Sequence, residues 1–380
     1  MNRSIVALAA LAACAGASAQ SRDSLTIYGG VDGNVTRVSA TGKDALWQMR
    51  DGGMYVTKLG FIGSEDLGGG FRAGFVMESQ SSSDTGNAAT TNTTNSTSGN
   101  TTLGGLTWNR KVTVSLHTPL GEARLGRDYT STFVPATYFD PFFSAGVASA
   151  TNFQVFHTST ISLPTLVRAS NVAAYHIPPT WVPGLYAYAQ VALGEGGTGS
   201  RYDGLGAGYR GGPLLVSGAV GKTKGPFLGN TVPAQVNAAT ASGDNKLHVW
   251  SAGASYDFSG FKVMGFYHSQ KLDSFGLLPA GPTETDRVVN DWLLGFSWAI
   301  GVNTIKAAYM VRDDKGLSDN DPKQIGLGYS YNFSKRTAVY ANYVNIKNSS
   351  VGTYNFLTSG HTPTAGGTGS AVQAGISHNF

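Results

Sequence analysis

The sequence predicts an all-β protein, a 16-stranded antiparallel transmembrane β-barrel with short periplasmic turns, long extracellular loops and a third loop folded into the lumen. Three observations indicate this fold: apolar residues recur with a period of two, short and long connections alternate, and the composition differs from that of a soluble domain. Charged residues make up 13% of the chain, against roughly 25% in a typical soluble domain. Glycine (51 residues), tyrosine (17) and phenylalanine (18) are abundant. No apolar run is long enough for a transmembrane helix.

The first nineteen residues have the features of a secretory signal peptide. Arg3 precedes an apolar run, and Ala17-Ser18-Ala19 forms a cleavage site. Removing residues 1–19 deletes one positive charge, so the net charge falls from +4 to +3, and it also removes Cys14, the single cysteine. The mature chain would then carry no thiol in an oxidising compartment. We expect a single barrel domain over residues 20–380; the alternative interpretation of the leader is a lipoprotein cleavage box at 11–14.

Alternation is clearest in three segments, 25–35 (LTIYGGVDGNV), 250–258 (WSAGASYDF) and 324–333 (QIGLGYSYNF), and residues 292–298 repeat its apolar half. One face of these segments is apolar or aromatic, and the other is rich in Gly, Ser, Asn and Asp. Such strands are typical of a barrel with lipid outside and water inside. A soluble sandwich would use the same alternation, but its buried face would favour Val, Ile and Leu over Tyr and Gly.

The connections predict the number of strands. Seven short connections alternate with eight longer polar ones, which divides the chain into sixteen strands with both termini on the short-turn side. The short connections are 66–70, 118–121, 178–184, 211–213, 259–260, 301–303 and 334–336, and the long ones are 39–53, 81–102, 129–165, 194–200, 226–245, 273–286, 313–322 and 348–368. An even strand count with this asymmetry is typical of an outer-membrane barrel, and sixteen strands leave room for a water channel.

The third long connection, residues 129–165, differs from an ordinary surface loop. It shows neither sustained alternation nor a helical stripe, and a structureless loop of this length is usually functional. It is also rich in aromatic residues, namely Phe133, Tyr138, Phe139, Phe142, Phe143, Phe153 and Phe156. A loop with so much apolar surface should pack against something, and we expect it to lie inside the barrel. The low-complexity loop 81–102 is expected to be mobile unless a neighbour orders it.

The sequence contains no convincing motif of an enzyme or of a nucleotide-binding protein. Residues 206–211 and 194–199 match GxGxxG, but neither opens a helix, so we interpret both as strand or loop glycines. The chain has no GxSxG, no HExxH and no cysteine pair, and its seven histidines are scattered. The weak, diffuse positive charge does not indicate nucleic acid. We therefore expect no catalysis, no cofactor, no metal and no nucleic-acid partner.

Five segments resemble the general trimeric porins of Gram-negative β-proteobacteria, and the resemblance extends over nearly the whole mature chain. The turn SEDLGGG, the sequence LGRDY before the third loop, and NFSKRT are fairly specific when found together. The matching segments are 25–35, 58–78, 109–129, 326–340 and 374–380. The last of them ends an alternating strand in a terminal phenylalanine, Phe380, which looks like the signal read by the barrel-assembly machinery.

The resemblance implies that residues 130–165 form the constriction of the pore and face cations on the barrel wall. The wall cations that we expect are Lys58, Arg72, Arg110, Lys111, Arg124 and Arg168. Strand parity favours Lys111 over Arg110, and places Ile62 inward where relatives often carry a cation.

Fewer acidic residues than cations are expected at the pore. The loop itself has one carboxylate, Asp140, and parity also points Asp32 and Glu78 inward. The loop aromatics expected at the constriction are Tyr138, Phe139, Phe142 and Phe143. An excess of cations in a narrow channel attracts anions, so the sequence predicts a moderate anion preference.

The function predicted from these observations is passive diffusion. We expect a homotrimeric porin of the outer membrane, exported through the periplasm, whose water-filled channel admits ions and small hydrophilic solutes and whose surface contacts lipid and lipopolysaccharide. The alternatives left open are a substrate-selective channel lined by the loop aromatics, and an adhesin or structural barrel. A barrel enzyme such as a phospholipase is a weaker alternative, because the sequence shows no nucleophile paired with histidine.

Overall fold

The computed structural model describes residues 23–92, 95, 100–101, 105–155, 163–195, 199–225, 245–273, 286–316, 320–356 and 361–380. The predicted signal peptide, residues 1–19, and Phe156 of the third loop lie outside these residues. The described chain forms nineteen strands and two short helices. The strands are β1 (Ser24–Ala40), β2 (Lys43–Asp51), β3 (Lys58–Gly68), β4 (Phe71–Gln80), β5 (Thr91–Asn92), β6 (Asn100–Thr101), β7 (Lys111–Thr118), β8 (Gly121–Tyr129), β9 (Arg168–His176), β10 (Leu185–Ala192), β11 (Arg201–Gly211), β12 (Leu214–Lys224), β13 (Lys246–Asp257), β14 (Phe261–Asp273), β15 (Asp286–Ile300), β16 (Asn303–Asp314), β17 (Lys323–Asn332), β18 (Thr337–Lys347) and β19 (Thr368–Asn379), and the helices are α1 (Val134–Phe139) and α2 (Thr151–Gln154).

Seventeen of the strands, all except β5 and β6, form one antiparallel sheet that closes on itself between β1 and β19. The strands β2 and β3 are two parts of one barrel strand, because β2 pairs with the upper part of β1 and β3 pairs with its lower part. The described residues therefore form a closed barrel of sixteen strands, which confirms the predicted fold. No helix among them is long and apolar enough to cross a membrane.

The outer face of the barrel carries the apolar half of each alternation. Trp292, Leu294 and Trp298 are exposed on this face of β15, whereas Leu293 between them is buried. The same holds for Leu25, Ile27, Val31 and Val35 on β1 and for Ile325, Leu327, Tyr329 and Tyr331 on β17. Side chains of the other parity point into the barrel, where many contact the third loop.

A break at residues 52–57 separates β2 from β3, and Asp32 organises it. The Asp32 carboxylate accepts hydrogen bonds from the backbone N–H groups of Gly53 (2.9 Å), Met54 (3.0 Å) and Tyr55 (3.1 Å). It also accepts one from the Tyr340 hydroxyl at 2.6 Å. Asp32 points inward as predicted, but its side chain is fully buried and its oxygens are engaged. The expectation that it presents a charge to the pore is therefore corrected.

The connections mostly follow the prediction, with two differences. Residues 39–53 were expected to be a long loop, but β1 and β2 form a hairpin that turns at Thr41 and Gly42, where Gly42 has φ = 80°. Most side chains of β2 are exposed, so this hairpin has no strict apolar face from which alternation could be recognised. The second difference is that the third loop contains the helices α1 and α2, each too short to give a helical stripe.

The loop 81–102 is described only in part. Within it, the side-chain amide of Asn95 donates to the carbonyl oxygen of Ser170 (3.0 Å) and accepts from the N–H of Ser170 (2.8 Å). This described part of the loop is therefore held against the start of β9 of its own barrel.

Candidate pore constriction

The third loop lies inside the barrel against glycines of the wall. A side chain at Gly253 on β13 would overlap the ring of Phe139. A Cβ atom at Gly295 on β15 would lie 2.5 Å from Pro141 Cγ, and one at Gly326 on β17 would lie 2.9 Å from Ala148 Cβ. Such distances are too short for real carbon atoms, so only glycine allows the loop to approach the wall this closely. The glycines of β13, β15 and β17 thus form the seat of the loop.

Replacing Gly295 with valine should push the loop into the lumen. The new side chain meets the rigid Pro141 ring first, whereas its nearest wall atom, the Ala307 carbonyl oxygen, would lie 3.3 Å from Cβ. We expect a lower single-channel conductance, because the loop moves towards the open part of the lumen, and a stability loss of about 1–3 kcal/mol from overpacking. A matched control is Gly218→Val on the outer face of β12, where the nearest atom to a new Cβ is 3.5 Å away. Equal conductance in the two variants would show that this seat does not position the loop.

Asp140 holds the sharpest bend of the loop together. Its carboxylate accepts hydrogen bonds from the N–H groups of Phe142 (2.9 Å), Ser144 (3.1 Å) and Ala150 (2.9 Å), and from the Ser149 hydroxyl (3.0 Å). In this bend Phe143 and Ser144 both adopt positive φ angles, 54° and 60°. Such residues cost about 1–3 kcal/mol each and persist where the surroundings enforce them.

Asp140 is therefore an internal support of the loop. Burial raises the pKa of its carboxyl above the ordinary value, although the four hydrogen bonds favour the charged form. The loop folds around this carboxylate and leaves it buried, so it does not line the lumen, although its charge acts on the wall cation Lys306.

A buried cluster around Arg312 ties the far end of the loop to the wall. Arg312 on β16 binds both carboxylate oxygens of Asp291 on β15 at 2.7 Å. It also donates to the Phe153 carbonyl oxygen (2.7 Å) and to the Tyr354 hydroxyl (3.2 Å), and His268 Nδ1 lies 3.3 Å from Asp291. Arg312 is fully buried. This cluster could not be predicted from the sequence, because alternation places Arg312 inward but does not show that two loops cover it.

The open part of the lumen beside the loop contains a strongly cationic cavity of about 400 Å³. Its cationic lining side chains are Lys58, Arg110, Lys306, Lys335 and Arg336. Among the residues that the structure describes, no Asp or Glu lines it. The loop contributes Phe143 and Ala145 to the opposite side, and Phe143 is 66% exposed there.

Glu78 positions two of these cations from behind. Its carboxylate receives Lys58 Nζ at 2.8 Å, the Arg110 Nε–H group and the Tyr28 hydroxyl at 2.9 Å. Glu78 is nearly buried, so it fixes the cations while they remain at the edge of the cavity. Parity favours Lys111 over Arg110, and the structure has both side chains inside the barrel, with Lys111 paired with Asp128. Arg110 precedes β7, where strand parity does not apply.

Lys306 is a cavity residue that the sequence analysis missed. It lies on β16, and its Nζ atom is 5.0 Å from the centroid of the Phe143 ring and 5.9 Å from that of Phe142. A cation over an aromatic face is attracted by the ring quadrupole. Alternation alone would have placed Lys306 inward, because Ile305 and Tyr309 are on the outer face. Its position at the tip of the loop could not be derived without the loop's path.

Most of the other expected wall residues have partners. Lys111 pairs with Asp128 at 2.9 Å, and Arg124 pairs with Asp128 and with Glu122, both at 2.8 Å. Arg168 does not line the cationic cavity; its guanidinium lies 4.7 Å from the Tyr129 ring and donates to the Tyr129 hydroxyl at 3.1 Å.

Strand alternation is broken next to Arg168 by a register shift between β8 and β9, where Asn171 has φ = 61°. Parity therefore does not predict the direction of the Arg168 side chain. The expectation of several free inward cations facing one loop acid is thus replaced by paired wall residues and one cationic cavity. Arg72 is exposed near the short-turn end, and Ile62 is exposed at its inward position.

The loop aromatics have different roles. Phe139 and Phe142 are buried against the wall, where the ring centroids of Phe139 and Phe266 are 6.0 Å apart. Phe143 faces the cationic cavity, and Tyr138 stacks under the Arg210 guanidinium at 5.4 Å. Within the described part of the chain, no group of three or more His, Cys, Asp or Glu residues could hold a metal ion. The arrangement of cations beside the loop can attract ions into the lumen and pass them.

Comparisons with known proteins agree with this architecture. A family model described as Gram-negative porin matches residues 7–350. Outer membrane porin protein 32 of Delftia acidovorans is 33% identical over the full length of both chains, and an outer membrane porin protein of Bordetella pertussis is 26% identical over the full length of both. A solved structure titled anion-selective porin from Comamonas acidovorans superimposes with a TM-score of 0.77 at 31% identity, covering 94% of this chain and 100% of that one.

Proposed function

The chain belongs to the Gram-negative porin family, and we propose that this outer-membrane channel prefers anions. The observation that carries the proposal is the cavity beside the third loop, lined by five cations and, among the described residues, by no carboxylate. Counting Glu78 and Asp140 behind the walls, the five positive charges and two negative charges leave a net charge of +3. Lys335 and Arg336 contribute their charges from the short turn at 334–336. Chloride and small organic anions passing the loop would thus cross a positive potential.

The walls of this cavity strengthen that potential. Protein on both sides of a narrow channel has a low dielectric constant, so field lines are focused into the water that remains. Of the described loop residues, Phe143 and Ala145 line the cavity, whereas Asp140 is buried. The similar structure titled anion-selective porin supports the proposal as an analogy.

We further propose that three copies assemble and that the protein catalyses no reaction, as the porin family and its fold are those of channels. The outer faces of β1 and β19 expose Val31, Val35, Val372 and Ile376, whereas aromatic residues are exposed on β15 and β17. An aliphatic surface is suited to packing against another protein, and aromatic rings are suited to the lipid interface. Lipopolysaccharide contact and recognition of Phe380 by the assembly machinery remain predictions.

Single-channel recording of the refolded protein in a planar bilayer tests the channel and the trimer together. Conductance that rises in groups of three steps supports an open trimer. Isolated single steps contradict the trimer, and protein that inserts but stays silent contradicts the open channel and indicates that residues 130–165 close the lumen.

A further inference from the structure

A second cavity lies on the short-turn side of α1, between the third loop and the wall formed by β7 to β11. Its volume is about 520 Å³, within the range of roughly 300–1,000 Å³ that is typical of small-molecule sites. The lining residues that matter are Lys111, Arg124, Tyr138, Tyr186, Tyr188 and Arg210. None of the five cations of the constriction cavity belongs to it, so it is a separate site along the pore.

The wall of this second cavity presents flat aromatic faces. Tyr186 and Tyr188 on β10 lie over Gly208 and Gly206 of β11, where any side chain would overlap their rings. His176 on β9 stacks on Tyr188, with ring centroids 5.1 Å apart and planes inclined by 26°. Glycines under the rings keep them flat against the sheet. Tyr188 is 9% exposed and is stacked by His176, so Tyr186 supplies the more accessible ring face.

Tyr138 of the loop brings an aromatic ring to the other side of the same cavity. The Arg210 guanidinium carbon lies 5.4 Å from the centroid of that ring. In the described part of the chain, no carboxylate lies within 4.0 Å of the Arg210 side chain, whereas Lys111 and Arg124 are paired with Asp128. With Glu122, the three cations and two carboxylates leave a charge of +1, and Arg210 is the cation that remains without a carboxylate partner among the described residues.

His176 also lines the cavity through its ring. The cavity therefore combines aromatic faces with a guanidinium that is available to a ligand.

We propose that this cavity binds aromatic carboxylates during their passage through the channel. The ring of the solute stacks between Tyr138 and the Tyr186–Tyr188 wall, and its carboxylate meets Arg210. Aromatic contacts favour a π face over an aliphatic ring of the same size, and a guanidinium favours a planar carboxylate. The inference rests on the proposed anion channel and deepens it by naming a class of solute.

Benzoate and cyclohexanecarboxylate form the test pair, because they have the same charge and nearly the same size but only benzoate has an aromatic face. Each is added to single channels that carry chloride current. We expect saturable block by benzoate, with a half-blocking concentration roughly fivefold lower than that of cyclohexanecarboxylate. Equal block by the two anions would overturn the aromatic site.

Four variants locate the block. Tyr138→Leu should raise the half-blocking concentration of benzoate roughly fivefold, whereas Tyr138→Phe should keep it. Arg210→Gln should weaken block by both anions, because both carry a carboxylate. Arg201→Gln is the matched control, since this residue lies at the other end of the same strand, is exposed and is paired with Asp203.

The outcomes distinguish this inference from the proposed function. Benzoate block that neither Tyr138→Leu nor Arg210→Gln changes would show that the anion binds elsewhere. A normal chloride current without benzoate block contradicts the aromatic site alone. A protein without chloride current contradicts the proposed channel itself.

Discussion

Replacing Lys306 with glutamate is expected to lower the chloride-to-potassium permeability ratio roughly a hundredfold. The substitution changes the charge of the constriction cavity by two units, and Lys306 lies at the tip of the loop, where the path is bounded by Phe143. A unit charge contributes about 0.7 kcal/mol to an ion at about 6 Å in water, so two units raise the free energy of chloride by about 1.4 kcal/mol and lower that of potassium by about the same amount, a difference of about 2.8 kcal/mol. Lys306→Gln removes one unit of charge, so it should lower the permeability ratio by about the square root of that factor.

The measurement is the zero-current potential in a salt gradient at about 0.1 M or below, where screening is weak. Lys323→Glu is the matched control: it makes the same charge change on the neighbouring strand, on an exposed side chain at the start of β17. We expect its permeability ratio to stay near that of the unmodified protein. Identical potentials in the Lys306→Glu variant and the unmodified protein would show that Lys306 is outside the ion path.

Replacing Arg312 with alanine is expected to cause a large loss of stability, about 3–5 kcal/mol in the free energy of unfolding. The substitution leaves the buried Asp291 carboxylate without its cation and removes the donors to the Phe153 carbonyl oxygen and the Tyr354 hydroxyl. The third loop also loses its tie to β16, so the open-channel current should become noisier. Chemical unfolding of the refolded protein in detergent gives the first quantity, and bilayer recording gives the second.

Two controls separate charge burial from general damage. The double variant Arg312→Met with Asp291→Leu should recover at least half of the loss, because no charge then remains buried. Lys315→Ala breaks an exposed ion pair with Asp313 and should cost less than about 1 kcal/mol. If Arg312→Ala unfolds like Lys315→Ala, the cluster does not stabilise the barrel.

The barrel could be predicted from the sequence because its alternation follows directly from the solvent on each side. Trp292, Leu294 and Trp298 must face lipid, and the structure places all three on the outer face. Prediction failed where this constraint is absent. The hairpin of β1 and β2 has mostly exposed side chains on β2, and the break at 52–57 depends on the distant Asp32 carboxylate.

The constriction was less predictable for a related reason. Its aromatic content predicted that residues 130–165 would pack inside the barrel, and the structure shows Phe139 and Phe142 doing so. The partners of that packing lie far along the chain, at Gly253, Gly295 and Gly326, and no local pattern connects them to the loop. Because these contacts are distant in sequence, the position of Lys306 beside Phe143 could not be predicted. For the same reason Asp140 was expected to be a pore acid, whereas it is a buried support of the loop.

The zero-current potential of the unmodified protein, refolded into a planar bilayer and held in a potassium chloride gradient, shows directly whether the channel prefers anions. Five cations around the constriction cavity predict that chloride crosses more readily than potassium, so the sign of the potential should be that of an anion-selective channel. A potential with the sign of cation selectivity would contradict the proposed anion preference, because it would mean that ions do not pass beside Lys58, Arg110 and Lys306.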